Sequence, residues 1–260
     1  MKPALIATRA IVATAALLIP VLATSTAFAA QSIPGDIAAA VADGARPAED
    51  KQRDAERKPA ETLAFAGVKP GETVIEIAPG KGYYTRLLSA VVGPKGKVYA
   101  ATSQPKPDAP PPPVQAIAAD PHYSNVSVSF QRVADLKLPQ GADLVWTSLN
   151  YHDFHNIPDV DVATINRAVF AALKPGGTYL VLDHAAEAGS GLRDTNTLHR
   201  IDEETVKQEV MAAGFKLVGE SEVLRNKADP HTAKVFDPEI RGHTDQFTLK
   251  FKKPSGTAAQ

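Results

Sequence analysis

The chain has 260 residues, 44% of them hydrophobic and 22% charged, with a formal net charge of −1 and no cysteine. That length and apolar content suffice for one large core, and the near-neutral balance argues against a protein that grips nucleic acid through a clustered basic face. Without cysteine there are no disulfides, zinc–thiolate centres, thiol nucleophiles or dithiol redox motifs.

Lys2 and Arg9 flank a charge-free run from Ala10 to Ala23, followed by small residues up to Ala30. A basic start, a short apolar segment and the Ala27-Phe28-Ala29 site describe a cleavable export signal over residues 1–29. The run falls short of the ~20 residues expected of a membrane span. The expectation is an exported chain, periplasmic or secreted, with no stable membrane insertion after cleavage. Loss of Lys2 and Arg9 then moves the formal charge from −1 to −3.

Residues 30–47 mix Pro, Gly, Ala and Asp and read as a flexible lead-in. The domain proper is expected over 48–253, with a frayed tail at 254–260. From Ala48 to Lys58 nearly every residue is charged or small, which fits a solvated helix laced with ion pairs. Pro59 to Phe65 predicts a short helix, with Pro59 in its first turn and Gly67 ending it. Thr73 to Ile77 is a β-branched apolar strand buried on both faces. Gly80 and Gly82 make a small-residue turn, and Tyr83 to Val91 reads as the helix behind it. Strand, glycine turn and helix together let a ligand approach bare backbone at a helix N-terminus.

Gly96 to Thr102 predicts the second strand. Residues 105–113 hold six prolines, an extended run unable to pair in a sheet. It reads as an exposed linker or a lid, with a helix remaining only over Val114 to Ala119. Val126 to Phe130 alternates as a third strand, and Ala142 to Leu149 is a fourth. Val162, Ile165, Val169 and Leu173 recur at helical spacing behind a capping Asp, and Lys174 to Gly177 stops that helix. Thr178 to Leu182 is a fifth strand that leads into Asp183-His184. Asp202 caps a helix carrying Val206 and Val210, closed by Gly214. Phe215 to Val223 and Thr244 to Phe251 read as two closing strands. The polar stretch Arg225 to His243 between them is long enough to be functional or disordered.

Glu76, four residues before Gly80 and six before Gly82, resembles motif I of the class I S-adenosylmethionine-dependent methyltransferases, with Ala78 in place of the first glycine. The resemblance runs from roughly Val68 to Lys252 through Leu-Lys-Pro-Gly-Gly (173–177) and Ala-Ala-Gly-Phe (212–215). With Gly-Tyr-Tyr-Thr (82–85), Asn-Tyr-His-Asp (150–153) and Leu-His-Arg-Ile-Asp (198–202), the chain is similar to a family of predicted exported methyltransferases. The resemblance implies a single α/β domain, a Rossmann-like doubly wound sheet, mostly parallel with an antiparallel strand near the C-terminus. It implies S-adenosylmethionine as cofactor and a small-molecule acceptor. It places Glu76, Ala78, Gly80, Gly82, Tyr84, Thr102, Asp135 and Asn150 at the cofactor, with Asp135 meeting the adenine amino group. Thr102 and Ser103 stand where an acid ordinarily grips the ribose hydroxyls, so the stronger charge-assisted bond is missing. Arg53, Asp54 and Arg57 would fold back over the ligand mouth.

In a doubly wound sheet ligands gather at the carboxyl ends of the strands, which puts Glu76–Gly82, Thr102, Asp135, Asn150–His155 and Asp183–His184 on one rim. Methyl transfer needs alignment of donor and acceptor, and sometimes removal of a proton. His152 is the first candidate base, with Asp153 or Asp183 to orient its ring, and His155 and His184 are second choices. A competing reading brings His152, Asp153, His155, His184 and His199 onto a metal. No recognised zinc spacing appears, and the sequence assigns no metal ligand. A third reading is a repurposed, non-catalytic binding protein, supported by Ala78, the missing second-strand acid and export. Nothing in the sequence fixes an oligomeric state.

Overall fold

The structure, a computed structural model, describes residues 32–105 and 107–256. The export signal expected over residues 1–29 lies outside the described residues, as do residues 257–260. Four helices come first: α1 (Gly35–Ala42), α2 (Ala48–Gln52), α3 (Asp54–Arg57) and α4 (Pro59–Ala66). Strands and helices then alternate as β1 (Thr73–Ile77), α5 (Tyr83–Val92), β2 (Lys97–Thr102), α6 (Pro113–Ala119), β3 (Val126–Phe130), β4 (Ala142–Ser148), α7 (Tyr151–Phe154), α8 (Val162–Ala172) and β5 (Leu173–His184). The chain closes with α9 (Glu203–Ala212), β6 (Lys216–Ser221) and β7 (Gln246–Lys252).

The strands form one seven-stranded sheet in the order β3-β2-β1-β4-β5-β7-β6. All pairs from β3 across to β5 are parallel, and β7 runs antiparallel to both β5 and β6. The doubly wound, mostly parallel sheet expected from the sequence is therefore the observed one. Its two faces are sorted by strand alternation. Val74, Leu144 and Trp146 pack with Leu63 of α4 and Leu87 and Leu88 of α5. Ile75, Ile77 and Val145 point the other way, against Ile165, Val169, Val206 and Val210 of α8 and α9. Progress through the strands runs outward from β1 to β3 on one side and from β4 to β5 on the other. That reversal opens a crevice beyond the carboxyl ends of β1 and β4, where such sheets bind ligands.

Three local expectations change. Within the flexible lead-in expected at 30–47, residues 35–42 are helix α1, with Ile37 and Ala40 buried in the same layer as α5. Buried Arg46 then donates to the Val41 carbonyl and to Asp54. Two apolar side chains and one guanidinium anchor a segment whose composition reads as loose. The charged stretch 48–58 is two short helices, with Lys58 in the left-handed region at φ +40°. Residues 174–177 do end α8, but they also join β5, which pairs from Leu173 with a register shift between Ala142 and Leu144. The caps hold as expected: Asp161 accepts from the Ala163 amide, and Asp202 from the Glu204 amide. Among the described residues no helix is long and apolar enough to cross a membrane.

Candidate functional site

The crevice is a cleft of about 940 Å³, within the ~300–1,000 Å³ of small-molecule sites. Its floor is the turn after β1. Ala78, at φ +53°, occupies the left-handed region that favours the glycine the motif leads one to expect, and Gly80 follows at φ +57°. A Cβ placed on Gly80 would meet nothing within 4 Å, so bare backbone faces the open cleft there. Gly82 is different. A Cβ there would lie 2.1 Å from Ile117 Cδ1, so this glycine lets α5 pack against α6 and is absent from the cleft lining. Its expected cofactor contact is corrected to a packing role.

Glu76 is 1% exposed yet borders the cleft. Among the described residues its hydrogen-bond partner is Thr85, whose hydroxyl donates at 2.5 Å. Burial pushes the carboxyl up to about 7, against the opposing pull of that bond and of the Arg57 and Arg86 charges. Thr102 sits at the end of β2 on the cleft wall. Asn150 also lines it, but its amide donates to the Ala78 carbonyl at 3.1 Å and the Ser148 carbonyl at 2.9 Å. It ties the end of β4 to the end of β1 and shapes the floor. Tyr84 packs on Trp146 at 4.6 Å between ring centroids, under the Arg57 guanidinium.

The N-terminal helices close one side. The Tyr83 hydroxyl donates to Asp54, which also receives Arg46, and Arg86 pairs with Asp50. This clamp leaves Arg53, Glu56 and Arg57 on the cleft wall, with Arg57 4.6 Å over the Tyr83 ring. The fold-back over the mouth holds for both arginines, while Asp54 faces the clamp. The opposite wall comes from the 225–243 stretch, which supplies Phe236, Pro238 and Arg241. Arg200 fixes that stretch: fully buried, it donates to both Asp229 oxygens at 2.8 and 3.1 Å and to the Ala233 carbonyl.

His152 lies beside the cleft, 2% exposed. Its Nδ1 is 2.8 Å from Asp183 Oδ1, and its Nε2 is 3.3 Å from Asp153 Oδ1. Asp183, fully buried, also accepts the backbone amides of His152 and His184 at 2.8 Å. Burial works against charge on the imidazole, but the Asp183 charge and the bonds to both carboxylates outweigh it and push His152 up to about 10. At neutral pH it therefore carries a proton, in contrast to the free base expected from the sequence. Asp183 does orient the ring. His184 goes the other way: burial lowers it to about 4, and its Nδ1 shares a 2.8 Å contact with Thr244.

Besides Gly82 and His184, which do not line the main cleft, two more expected site residues are not brought in. His155 turns away to Glu209 at 3.2 Å and lines none of the cleft. Asp135 ends a 3-10 turn with its side chain 66% exposed, 3.9 Å from Arg132 and outside the lining. Ser148, Leu149, Glu56, Phe236 and Arg241 line the cleft without having been singled out. Of these, only the 225–243 group carried a signal, its unusual loop length. Leu149, at φ +58° after β4, has no sequence mark at all.

No family model matches the chain. A ubiquinone/menaquinone biosynthesis C-methyltransferase UbiE of Ectopseudomonas mendocina is 28% identical over 205 residues, 73% of this chain. The protein of the same name from Vibrio cholerae is 26% identical over 206 residues. The chain spans 66% and 65% of these two relatives' lengths, just under two thirds. Among solved structures, a SAM-dependent methyltransferase from Aquifex aeolicus superposes with a TM-score of 0.57 at 20% identity, covering 80% of this chain and 98% of that one. The [4+2]-cyclase SpnF superposes at 0.56 and 18% identity, covering 82% and 85%. An arsenic(III) S-adenosylmethionine methyltransferase from Chlamydomonas reinhardtii superposes at 0.53 and 18%, covering 88% and 76%. The fold is that of the class I methyltransferases.

Proposed function

We propose that the chain is an S-adenosylmethionine-dependent methyltransferase acting on a small-molecule acceptor after export. The observation that carries the reading is the cleft over β1 and β4, where the bare backbone of Gly80, the buried Glu76 carboxylate and Thr102 meet. When bound, the cofactor would supply a methyl group already activated on a sulfonium. Gly80 allows close approach, Glu76 offers an acceptor oxygen, and the Thr102 hydroxyl would meet ribose where an acid is more usual. Arg53, Arg57 and Arg241 form no ion pair with a carboxylate among the described residues and suit carboxylate groups of the occupants. Phe236 and Pro238 narrow the cleft against water. These groups position and exclude, which is most of what an activated methyl donor requires. The name of the curated relatives supports methyl transfer. The ubiquinone and menaquinone biosynthesis of their name is not carried over, given an identity of 28% over part of their length.

Calorimetry of the 30–260 chain with S-adenosylmethionine and S-adenosylhomocysteine tests this reading. Saturable one-to-one binding is expected, and no binding of either would sink it. Gly80→Val meets no neighbouring atom but is strained at φ +57°, so it should lower the melting temperature somewhat and abolish binding in a protein that still melts cooperatively. A second reading, a ligand-binding protein on the same fold, is favoured by Thr102 in the ribose position. It predicts that small anionic molecules bind at the arginines while neither nucleoside does.

A further inference from the structure

We infer that His152, Asp153 and His199 form a binding site for one divalent transition ion of the zinc class, with Asp183 as the residue that positions His152. The inference goes beyond the methyltransferase reading and does not depend on it. The three side chains come from two places: His152 and Asp153 from α7, and His199 from the loop between β5 and α9. Each offers one ligand atom, and the three atoms lie within 4.8 Å of one another. Asp153 Oδ1 stands 3.3 Å from His152 Nε2 and 3.4 Å from His199 Nδ1. Those separations match the edge of a tetrahedron, about 3.4 Å for ligands ~2.1 Å from a zinc ion. The two imidazoles stand nearly perpendicular at 87°, 5.5 Å between centroids, so the rings do not stack on one another.

Three further features support the assignment. Metal-bound histidines usually give their second nitrogen to a carboxylate, which fixes the ring. His152 does so through Nδ1 to fully buried Asp183 at 2.8 Å, leaving Nε2 toward the cluster. His199 sits in the left-handed region at φ +55°, which few non-glycine residues other than Asn, Asp and His adopt. Phe236 packs edge-on against the same ring at 4.9 Å. An ion would displace the proton that His152 holds, and with both imidazoles then neutral the cluster and Asp183 carry two negative charges, the complement of a divalent cation. Donors of two nitrogens and one oxygen suit zinc, cobalt or iron better than magnesium or calcium. Asp153 also lines the main cleft, so three protein ligands would leave an open position for water or for a cleft occupant.

The test uses the tag-free 30–260 chain, stripped with chelator and titrated with Co²⁺ by visible absorption and with Zn²⁺ by calorimetry. One equivalent of each is expected, with the absorption of a low-symmetry nitrogen–oxygen site and a raised melting temperature. His199→Gln and Asp153→Asn should each weaken Zn²⁺ at least tenfold, while His155→Gln, whose ring sits on Glu209, should match the wild type. S-adenosylmethionine binding measured on the same samples separates this site from the cofactor reading. Absence of saturable binding by the wild-type chain would overturn the inference. So would one-to-one binding left unchanged by both cluster variants, since the ion would then sit elsewhere.

Discussion

Replacing Asp183 by Asn removes the charge beneath His152 while keeping the size of the side chain. In the folded protein Asp183 accepts three bonds at 2.8 Å, from the His152 amide, the His152 ring and the His184 amide, with none of its surface exposed. Asn would present an NH₂ group to donors and leave the imidazole without its counter-charge. Breaking one side of a buried ion pair costs about 3–5 kcal/mol. The proton linkage gives the same scale. Raising His152 from 6.5 to about 10 corresponds to roughly 5 kcal/mol of stability at 1.36 kcal/mol per pKa unit. A raised folded-state pKa means that this contribution is fully present below the unfolded value of 6.5 and is lost as pH rises through about 10. Asp183→Asn should therefore lower the melting temperature by about 10 °C at pH 6, and the gap to wild type should narrow by pH 9.5. Comparing the two proteins at each pH, both chelator-treated, cancels titrations elsewhere. Thermal melts followed by circular dichroism decide it. A gap that is absent at pH 6, or as large at pH 9.5, would refute the buried ion pair.

Thr102→Asp should tighten S-adenosylmethionine by about 1–2 kcal/mol, the scale of a hydrogen bond to a charged group, and calorimetry reads it directly; unchanged or weaker binding means the ribose is held elsewhere. Glu76 is held near 7 by burial, so a ligand that donates to it should draw off its proton. Cofactor binding at pH 6.5 should accordingly release protons, seen as binding enthalpies that depend on the buffer's ionisation heat, and Glu76→Gln should abolish that dependence. The same raised value means that burying Glu76 costs stability progressively from pH 4.5 to 7. Ala78→Gly should raise stability by roughly 1 kcal/mol, because glycine adopts φ +53° without the strain of a Cβ; a fall in the denaturation midpoint would contradict that account.

Much of the scaffold was legible in the chain because its signals are local. The β-branched run before Gly80 reads as a buried strand, alternation marks β3 and β7, and aspartates sit where helices begin. A sheet wound on both sides follows from that order, and with it the rim that gathers Glu76, Thr102, Asn150 and His152. What the sequence could not carry was direction. Gly80 and Gly82 look equivalent in a motif, yet one faces open cleft and the other faces Ile117, which lies 35 positions on. His152 and His155 share one short stretch, yet a single turn sends one to Asp183 and the other to Glu209. Its titration was equally hidden, since a histidine's proton affinity is set by which charges surround it after burial, and Asp183 arrives from a different strand. Phe236, Arg241 and His199 reach the site from loops that the buried Arg200–Asp229 pair ties together. Periodicity and caps act over a few residues and survive in the sequence; cleft walls and proton affinities depend on contacts between distant segments, which exist only once the chain has folded.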